Sequence, residues 1–161
     1  MENKTNVMRI LDKNKITYKH YDYTNTDAIS GVDVARTLSQ NPQQVFKTLV
    51  TVGKSKKYYV FMLPVEKELD LKKAAHSVNE KSIEMIKLKD LLPLTGYIHG
   101  GCSPIGMKKF FRTTIDSSAQ NFETIIFSAG KIGYQVELSL IDLSKIIKFE
   151  LADITAKIIV N

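Results

Sequence analysis

The chain has 161 residues, of which 43% are hydrophobic and 25% are charged. This length and balance are typical of one soluble globular domain with its own core. Lysine and arginine together number 23 against 17 acidic residues, which gives a net charge of +6. Such a surface suits an anionic partner, although charge alone favours an ordinary solvated surface.

Cysteine and histidine usage excludes several classes of protein. The single cysteine, Cys102, rules out an internal disulfide bond and fits a reducing compartment. The N-terminal residues lack the apolar core of a signal peptide, and no apolar run approaches the ~20 residues of a membrane span. His20, His76 and His99 are isolated from one another, so we expect no metal site. The sequence therefore predicts a cytoplasmic protein that does not enter a membrane.

Apolar spacing in the first half of the chain predicts alternating helices and strands. Ser30 and Asp33 form a variant of the capping box that begins a helix, and Asp70 suits the N-cap of another. Residues 53–56 separate two apolar runs and give the clearest hairpin pattern. The predicted elements are a helix over Asn3–Leu11, a strand over Ile16–Tyr23, a helix after Ser30, strands over Val45–Val52 and Lys57–Leu63, and a helix from Leu69 through Val78.

The second half of the chain is predicted to contain short strands with unequal helices between them. Residues 116–119 are expected to form a loop. Ser139 and Asp142 repeat the serine-x-x-acid pattern that begins a helix. This mixture predicts one α+β domain over residues 1–161, with helices around a mixed, curved, barrel-like sheet. The predicted elements are strands over Ser82–Met85, Phe110–Ile115, Glu123–Ser128, Tyr134–Leu138 and Phe149–Ile159, a helix over Leu88–Leu92 that ends before Pro93, and a helix from Ser139 to about Ile147.

The segment Gly96–Gly106 holds four of the eight glycines and one of the four prolines. This composition predicts a tight loop, because each glycine in a helix interior costs roughly 0.5–1 kcal/mol relative to alanine. Gly100 and Gly101 allow positive φ and close approach of a ligand, and Pro104 stiffens the exit. Backbone N–H groups in such a loop can face an anion or a developing oxyanion, although a structural turn is the commoner role.

Lys47 lies within the apolar run Val45–Val50. Such a lysine either reaches solvent at the edge of a sheet or faces a pocket. Burying an ammonium group without a partner is expensive, so an inward Lys47 would imply an anionic ligand or a carboxylate. The sequence alone slightly favours the edge position and leaves both interpretations open.

No side chain is set up by its sequence neighbours as a nucleophile with a base. His99, beside the glycine loop, is the one candidate base, but such a histidine is more often a packed strand residue. Cys102 has no activating neighbour in sequence, which favours a buried and inert thiol. The chain contains neither a G-x-S-x-G elbow nor a glycine-rich phosphate loop.

A set of short motifs occurs in order over nearly the whole chain: Asn-Lys-Ile at 14–16, Tyr23, Asn-Pro-x-x-Val-Phe-Lys-Thr-Leu at 41–49, Leu-Asp-Leu-Lys-Lys-Ala-Ala at 69–75, the glycine-rich segment 95–109, Ile-Asp at 115–116 and Ser-x-Gly-Lys-x-Gly at 128–133. Together they resemble the YbaK/EbsC family of aminoacyl-tRNA deacylases. Within that family the similarity is greatest to the branch of Cys-tRNA(Pro)/Cys-tRNA(Cys) deacylases, which clear cysteine mischarged onto proline tRNA.

This resemblance implies roles for particular residues. Lys47 and Gly101 would be the catalytic groups, with Lys47 contacting the terminal adenosine or the ester and offsetting developing negative charge. Gln135 stands where the family pattern has an aspartate, and Ser30 where it often has a phenylalanine. The substrate-binding positions implied by the resemblance are Tyr23, Ser30, Thr48, Gly100, Ser103, Pro104 and Gln135.

The resemblance also implies a reaction and its partners. The expected function is trans-editing of Cys-tRNA(Pro), in which the thiol of the substrate attacks its own ester and releases a cysteine thiolactone and free tRNA. This mechanism agrees with the lack of a candidate nucleophile. Deacylation of Ala-tRNA(Pro), and a non-catalytic module that binds tRNA or a synthetase, are the alternatives. The implied partners are the aminoacylated 3′ end of tRNA, mainly tRNA(Pro), and prolyl-tRNA synthetase, with no DNA, metal or organic cofactor.

Overall fold

The computed structural model of the chain describes residues 4–157. Its strands form two sheets, and the helices surround them. The helices are α1 (Asn6–Lys13), α2 (Gly31–Thr37), α3 (Leu71–Ser77), α4 (Leu88–Thr95) and α5 (Leu140–Ser144), with a 3-10 helix at Ser117–Asn121; the strands are β1 (Lys19–Asp22), β2 (Phe46–Gly53), β3 (Tyr58–Pro64), β4 (Ile83–Met85), β5 (Arg112–Asp116), β6 (Ile125–Ser128), β7 (Tyr134–Leu138) and β8 (Glu150–Ala152).

The larger sheet has the order β4-β2-β3-β5-β8, and the smaller has the order β1-β7-β6. The β3–β5 and β5–β8 pairs are parallel, whereas the other pairs are antiparallel. A bridge between Val45 and Ile126 joins the two sheets at one point. The predicted α+β class with mixed strand directions is therefore confirmed. The sheets do not close into a barrel, because their only described link is this bridge.

Strand β3 separates two parts of the core. Val60 and Met62 pack into the larger cluster, which lies between the sheets, while Phe61 and Leu63 pack into a second cluster with α3. Successive strand residues point to opposite faces, so a strand buried on both faces needs apolar residues at every position. This burial explains the continuous apolar run that predicted the second strand of the hairpin.

The three predicted N-caps are confirmed. The Ser30 hydroxyl accepts a hydrogen bond from the Asp33 N–H at 3.1 Å, and Ser139 accepts one from Asp142 at the same distance. Asp70 caps α3 by accepting bonds from two N–H groups of the first turn. Each cap satisfies a backbone donor that has no partner within the helix.

Two local predictions are wrong. Helix α4 continues through Pro93 to Thr95 and ends at Gly96, which has a φ of +84°. Proline has no N–H, so the carbonyl four residues before Pro93 receives no hydrogen bond within the helix. Because Pro93 is exposed, water can donate to that carbonyl instead. Residues 117–121 form a 3-10 helix and not a loop, because the Asp116 carboxylate caps its first turn.

The two ends of the chain differ from their predicted bounds. Helix α1 begins at Asn6 and is capped by Thr5, and the predicted start at Asn3 lies outside the described residues. Strand β8 ends at Ala152, after which Thr155 makes only an isolated bridge to Leu69. The last two residues of the predicted segment 149–159 also lie outside the described range. No helix within residues 4–157 is long and apolar enough to cross a membrane.

Asp116 connects the end of β5, the 3-10 helix and the segment after β8, and it provides a test of the fold. It is 4% exposed, and its carboxylate accepts hydrogen bonds from the N–H groups of Ile154 and Ser118 at 3.1 and 3.2 Å. We expect Asp116→Ala to lower the free energy of unfolding by about 2 kcal/mol, because the buried Ile154 N–H loses its acceptor. Urea unfolding measures this loss. Asp116→Asn keeps one acceptor oxygen and should lose less; equal stability of Asp116→Ala and the unsubstituted protein would contradict this assignment.

Candidate active site

A cavity of about 650 Å³ is lined by strands of both sheets, and Val45 of the bridge to Ile126 is part of its wall. Its walls come from β2, the ends of β6 and β7, the start of α2, the segment from β4 into α4, and the glycine loop. This volume is in the range of small-ligand sites, which are roughly 300–1,000 Å³. Apolar side chains form most of the wall, and Lys47 and Asp33 are the charged residues among those that line it.

The cavity brings together most of the residues that the sequence predicted. Six of the nine predicted positions line it, although they come from five separate parts of the chain. The remaining three lie in the glycine loop and do not line the cavity. The lining positions are Tyr23, Ser30, Lys47, Thr48, Gly100 and Gln135, and the others are Gly101, Ser103 and Pro104.

Lys47 occupies the inward position that the sequence left open. Lys47 lines the cavity, so the solvent-facing interpretation is wrong, although β4 pairs only with residues 51–53 of β2 and does not reach the strand edge at Lys47. The side chain is half-buried, and no carboxylate within residues 4–157 forms an ion pair with it. Burial lowers the pKa of Lys47, and the charge of Glu68 only partly opposes this change. The cavity therefore contains a cation that has no direct ion-pair partner among the described residues, although Asp33 also lines the wall.

Two hydroxyl groups add hydrogen-bonding capacity to the cavity. The Thr48 Oγ1 is buried and has no hydrogen-bond partner among the described residues. Tyr23 is 6% exposed, its N–H donates to the Gly133 carbonyl, and its hydroxyl has no partner within residues 4–157. Buried polar groups are normally paired, so the Thr48 hydroxyl is available to a ligand, and the Tyr23 hydroxyl, which is unpaired but not fully buried, can also bond one.

Gln135 is held by a residue that sequence reasoning missed. It is 4% exposed, and its Oε1 accepts a hydrogen bond from Gln40 Nε2 at 2.8 Å. Its strand neighbour Ser128 also lines the cavity and accepts a hydrogen bond from the Gly130 N–H at 3.1 Å. Gln40 had no local signal in the sequence, because only tertiary folding brings it beside a strand 95 residues away.

Neighbouring residues of the glycine loop, residues 96–106, have different roles. Gly100 has a φ of +88°, as the sequence predicted, whereas the Gly101 N–H donates to the Ile98 carbonyl at 3.0 Å. A Cβ on Gly101 would lie 3.1 Å from the backbone nitrogen of Ile132. This geometry gives Gly101 a packing role and leaves its catalytic role a prediction. Among the described residues, the N–H groups of Gly100 and Cys102 have no hydrogen-bond partner, and both residues line the cavity.

Ser103 and Pro104 support the loop from behind. Ser103 is fully buried, and its hydroxyl accepts a hydrogen bond from the Ile105 N–H at 3.3 Å. Pro104 is also buried. The Tyr97 hydroxyl donates to the Ile105 carbonyl and fixes the same turn. Both predicted residues therefore act on the shape of the loop in this structure, and direct contact with a substrate stays a prediction for them.

Neither His99 nor Cys102 has the environment of an activated catalytic group. Cys102 is buried, as predicted, and burial raises the pKa of its thiol to about 12. His99 is exposed in a turn at the cavity mouth, so its predicted packed strand position is wrong. No hydrogen bond within residues 4–157 connects this histidine to a hydroxyl or a thiol of the wall. Within residues 4–157, no cluster of three or more histidine, cysteine or acidic side chains could hold a metal ion.

The rim of the cavity is apolar and open to solvent, a feature that the sequence did not predict. Ile29, Met85 and Leu88 line it and are 70%, 46% and 69% exposed. Large apolar side chains grouped at the mouth of a cavity are characteristic of a binding surface. Leu88 belongs to a helix whose amphipathic pattern gave no indication of this exposure.

Comparisons with known proteins identify the family of this chain. Residues 26–146 match the family described as aminoacyl-tRNA editing domain. The chain is 45% identical over 157 residues to "Putative Cys-tRNA(Pro)/Cys-tRNA(Cys) deacylase EbsC" of Enterococcus faecalis. These residues cover 97% of this chain and 96% of that protein.

Solved structures share the fold at lower identity. One is described as "a putative trans-editing enzyme for prolyl tRNA synthetase", with a TM-score of 0.82 and 19% identity over 96% of this chain and 100% of that one. Another is the hypothetical protein APE2540, with a TM-score of 0.84 and 17% identity over 93% of this chain and 99% of that one. At these identities the likeness concerns the fold alone. Because the family model matches residues 26–146 and the Enterococcus faecalis protein is 45% identical, the chain belongs to the YbaK/EbsC family of aminoacyl-tRNA editing domains.

Proposed function

We propose that this protein is a trans-editing deacylase that removes cysteine from mischarged Cys-tRNA(Pro). The unpaired ammonium group of Lys47 in a largely apolar cavity is the observation that carries this proposal. An aminoacyl ester that is cleaved develops negative charge on its carbonyl oxygen, and a preorganised cation lowers the free energy of that state. The family match and the name of the Enterococcus faecalis relative support the same activity.

The cavity fits the aminoacyl group and the terminal adenosine and not the body of a tRNA. Its volume of about 650 Å³ accommodates a small ligand. The exposed side chains of Ile29, Met85 and Leu88 offer an apolar surface on which the adenine can lie. The rest of the tRNA would remain outside, where the net charge of +6 favours its approach in the cytoplasm. Selection of tRNA(Pro) would then depend on prolyl-tRNA synthetase.

The nucleophile in this proposal is the thiol of the substrate. Its sulfur attacks the ester carbonyl carbon of the same cysteinyl group, and a C–S bond forms as the C–O bond to the ribose breaks. The thiol proton goes to the departing ribose oxygen, so the products are a cysteine thiolactone and uncharged tRNA. The pKa of about 12 for Cys102 supports this assignment, because the protein's own thiol is protonated at neutral pH.

The protein would orient the ester and stabilise its oxygen. Gly100, Cys102 and Lys47 all line the same cavity, and the N–H groups of Gly100 and Cys102 have no hydrogen-bond partner among the described residues. Holding the thiol near the carbonyl in a fixed geometry removes much of the entropic barrier to ring closure. Such a site needs a shaped cavity and hydrogen-bond donors, and it requires no nucleophile from the enzyme.

Turnover of two substrates tests the proposed function. We expect the purified protein to release cysteine from Cys-tRNA(Pro) and to leave Ala-tRNA(Pro) intact, because alanine has no thiol. Acid-gel separation of charged and uncharged tRNA measures both reactions. Release of alanine at a comparable rate would overturn the thiol mechanism and favour the alanine-specific alternative. Binding of tRNA or synthetase without release of either amino acid would favour a non-catalytic module.

Lys47→Met tests the proposed role of the ammonium group. We expect the rate of cysteine release to fall about 100-fold, because an apolar side chain of similar length cannot stabilise the developing charge. The free energy of unfolding at pH 7 should rise, because a lysine whose pKa is lowered in the folded state destabilises that state wherever it is protonated. Stopped assays and urea unfolding measure the two effects. The control is Lys54→Met in the exposed hairpin turn, which should change neither quantity.

The pH dependence gives a separate test of Lys47. Its lowered pKa predicts that the enzyme-catalysed rate, corrected for spontaneous ester cleavage, falls as pH rises through a value below the usual 10.5. Lys47→Arg keeps its charge throughout this range, so any activity it retains should lack the fall. An identical fall in the arginine variant would assign the titration to another group.

A further inference from the structure

The amide pair Gln40–Gln135 is the most unusual polar arrangement beside the cavity. Gln40 Nε2 donates to Gln135 Oε1 at 2.8 Å, and the other end of the Gln40 amide, Oε1, is buried without a partner. The Nε2 of Gln135 has no hydrogen-bond partner within residues 4–157, although Gln135 is only 4% exposed and lines the cavity. Buried polar atoms are normally paired, so the unpaired Gln40 Oε1 has a cost that needs an explanation, whereas the Gln135 Nε2 is not fully buried and is accessible from the cavity.

Both side chains start from fixed backbone. Gln40 follows α2, and its N–H donates to the carbonyl of the fully buried Ala35 at 2.8 Å. Gln135 lies in β7 between Tyr21 of β1 and Ser128 of β6. Neither backbone can shift without breaking strand or helix-end hydrogen bonds. The end of the Gln135 amide that bonds Gln40 therefore determines whether its oxygen or its nitrogen is left to face the cavity.

We propose that Gln40 is a positioning residue that holds Gln135 with its amide N–H groups available to the substrate. This inference rests on the proposed deacylase function and adds the chemistry that the position reads. Because its Oε1 is taken by Gln40, Gln135 presents hydrogen-bond donors. Together with the Lys47 ammonium, it makes the polar part of the cavity rich in donors. The group recognised by Gln135 is thus an acceptor of the aminoacyl moiety, its ester carbonyl oxygen or its sulfur, and not its α-ammonium group.

Gln40→Glu tests this orientation with little change in side-chain shape. A carboxylate at residue 40 can only accept hydrogen bonds, so Gln135 must turn its Nε2 toward residue 40 and its Oε1 toward the cavity. Gln135→Glu replaces the donor directly with an acceptor. We expect both variants to lose about 10-fold in kcat/KM for Cys-tRNA(Pro), the factor that corresponds to one hydrogen bond. Gln40→Met releases the amide without reversing it and should lose less than Gln40→Glu.

Thermal unfolding is measured beside turnover to separate positioning from stability. The proposal requires Gln40→Glu to be less active than Gln40→Met when both remain folded at the assay temperature. If Gln40→Glu does not fold, the comparison of Gln135→Glu with the unsubstituted protein decides. Higher activity in either glutamate variant would overturn the proposal, because it would mean that this position binds the α-ammonium group. Activity losses that follow only the loss of thermal stability would also overturn it.

A binding measurement distinguishes failure of this inference from failure of the proposed function. The probe is 3′-cysteinylamino-3′-deoxyadenosine, in which an amide replaces the ester and cannot be deacylated by thiol attack on the assay timescale. Calorimetry should show about 10-fold weaker binding by Gln135→Glu than by the unsubstituted protein. Equal binding would overturn the role of Gln135 even if the protein is an active deacylase. Weaker binding by the variant would support this role even if Cys-tRNA(Pro) is not turned over.

Discussion

The burial of one lysine ammonium without a counter-ion is the physical constraint on which the site depends. Lys47 is half-buried in the cavity wall, and burial lowers its pKa because the charged form loses hydration. The surrounding fold must offset this loss, and β2 does so through its pairing with β3 and its packing against the main core. A cation held in this way is costly in the empty site and favourable when negative charge develops nearby, which is the condition for electrostatic catalysis.

The rest of the cavity follows from how the sheets are joined. The Val45–Ile126 bridge joins the two sheets, and strands from both contribute side chains to one space beside it. The glycine loop closes that space from one side. Gly101 allows the loop to approach the backbone at Ile132, while its neighbour Gly100 reaches the cavity. A side chain at residue 101 would push the loop away from this position, so the glycine pair has both a packing and a lining function.

Local sequence patterns were sufficient for most elements of the fold. The caps at Ser30, Asp70 and Ser139 and the hairpin around residues 53–56 depend on neighbours within four residues, and all of them are confirmed. The failures arise where solvent exposure or a side-chain cap overrides propensity. Helix α4 passes through Pro93 because that face is open to water, and the segment after Asp116 becomes helical because the carboxylate caps it.

The order of motifs along the chain was enough to identify the family and six of the residues that line the cavity, because such motifs combine residue type with fixed spacing. It could not decide whether Lys47 reaches solvent or faces a pocket, since that depends on the distant segments that enclose the cavity beside β2. It also gave no sign of Gln40, whose partner lies 95 residues away. These features are products of tertiary structure: burial, the missing counter-ion and the pairing of distant amides exist only after separate segments have packed together.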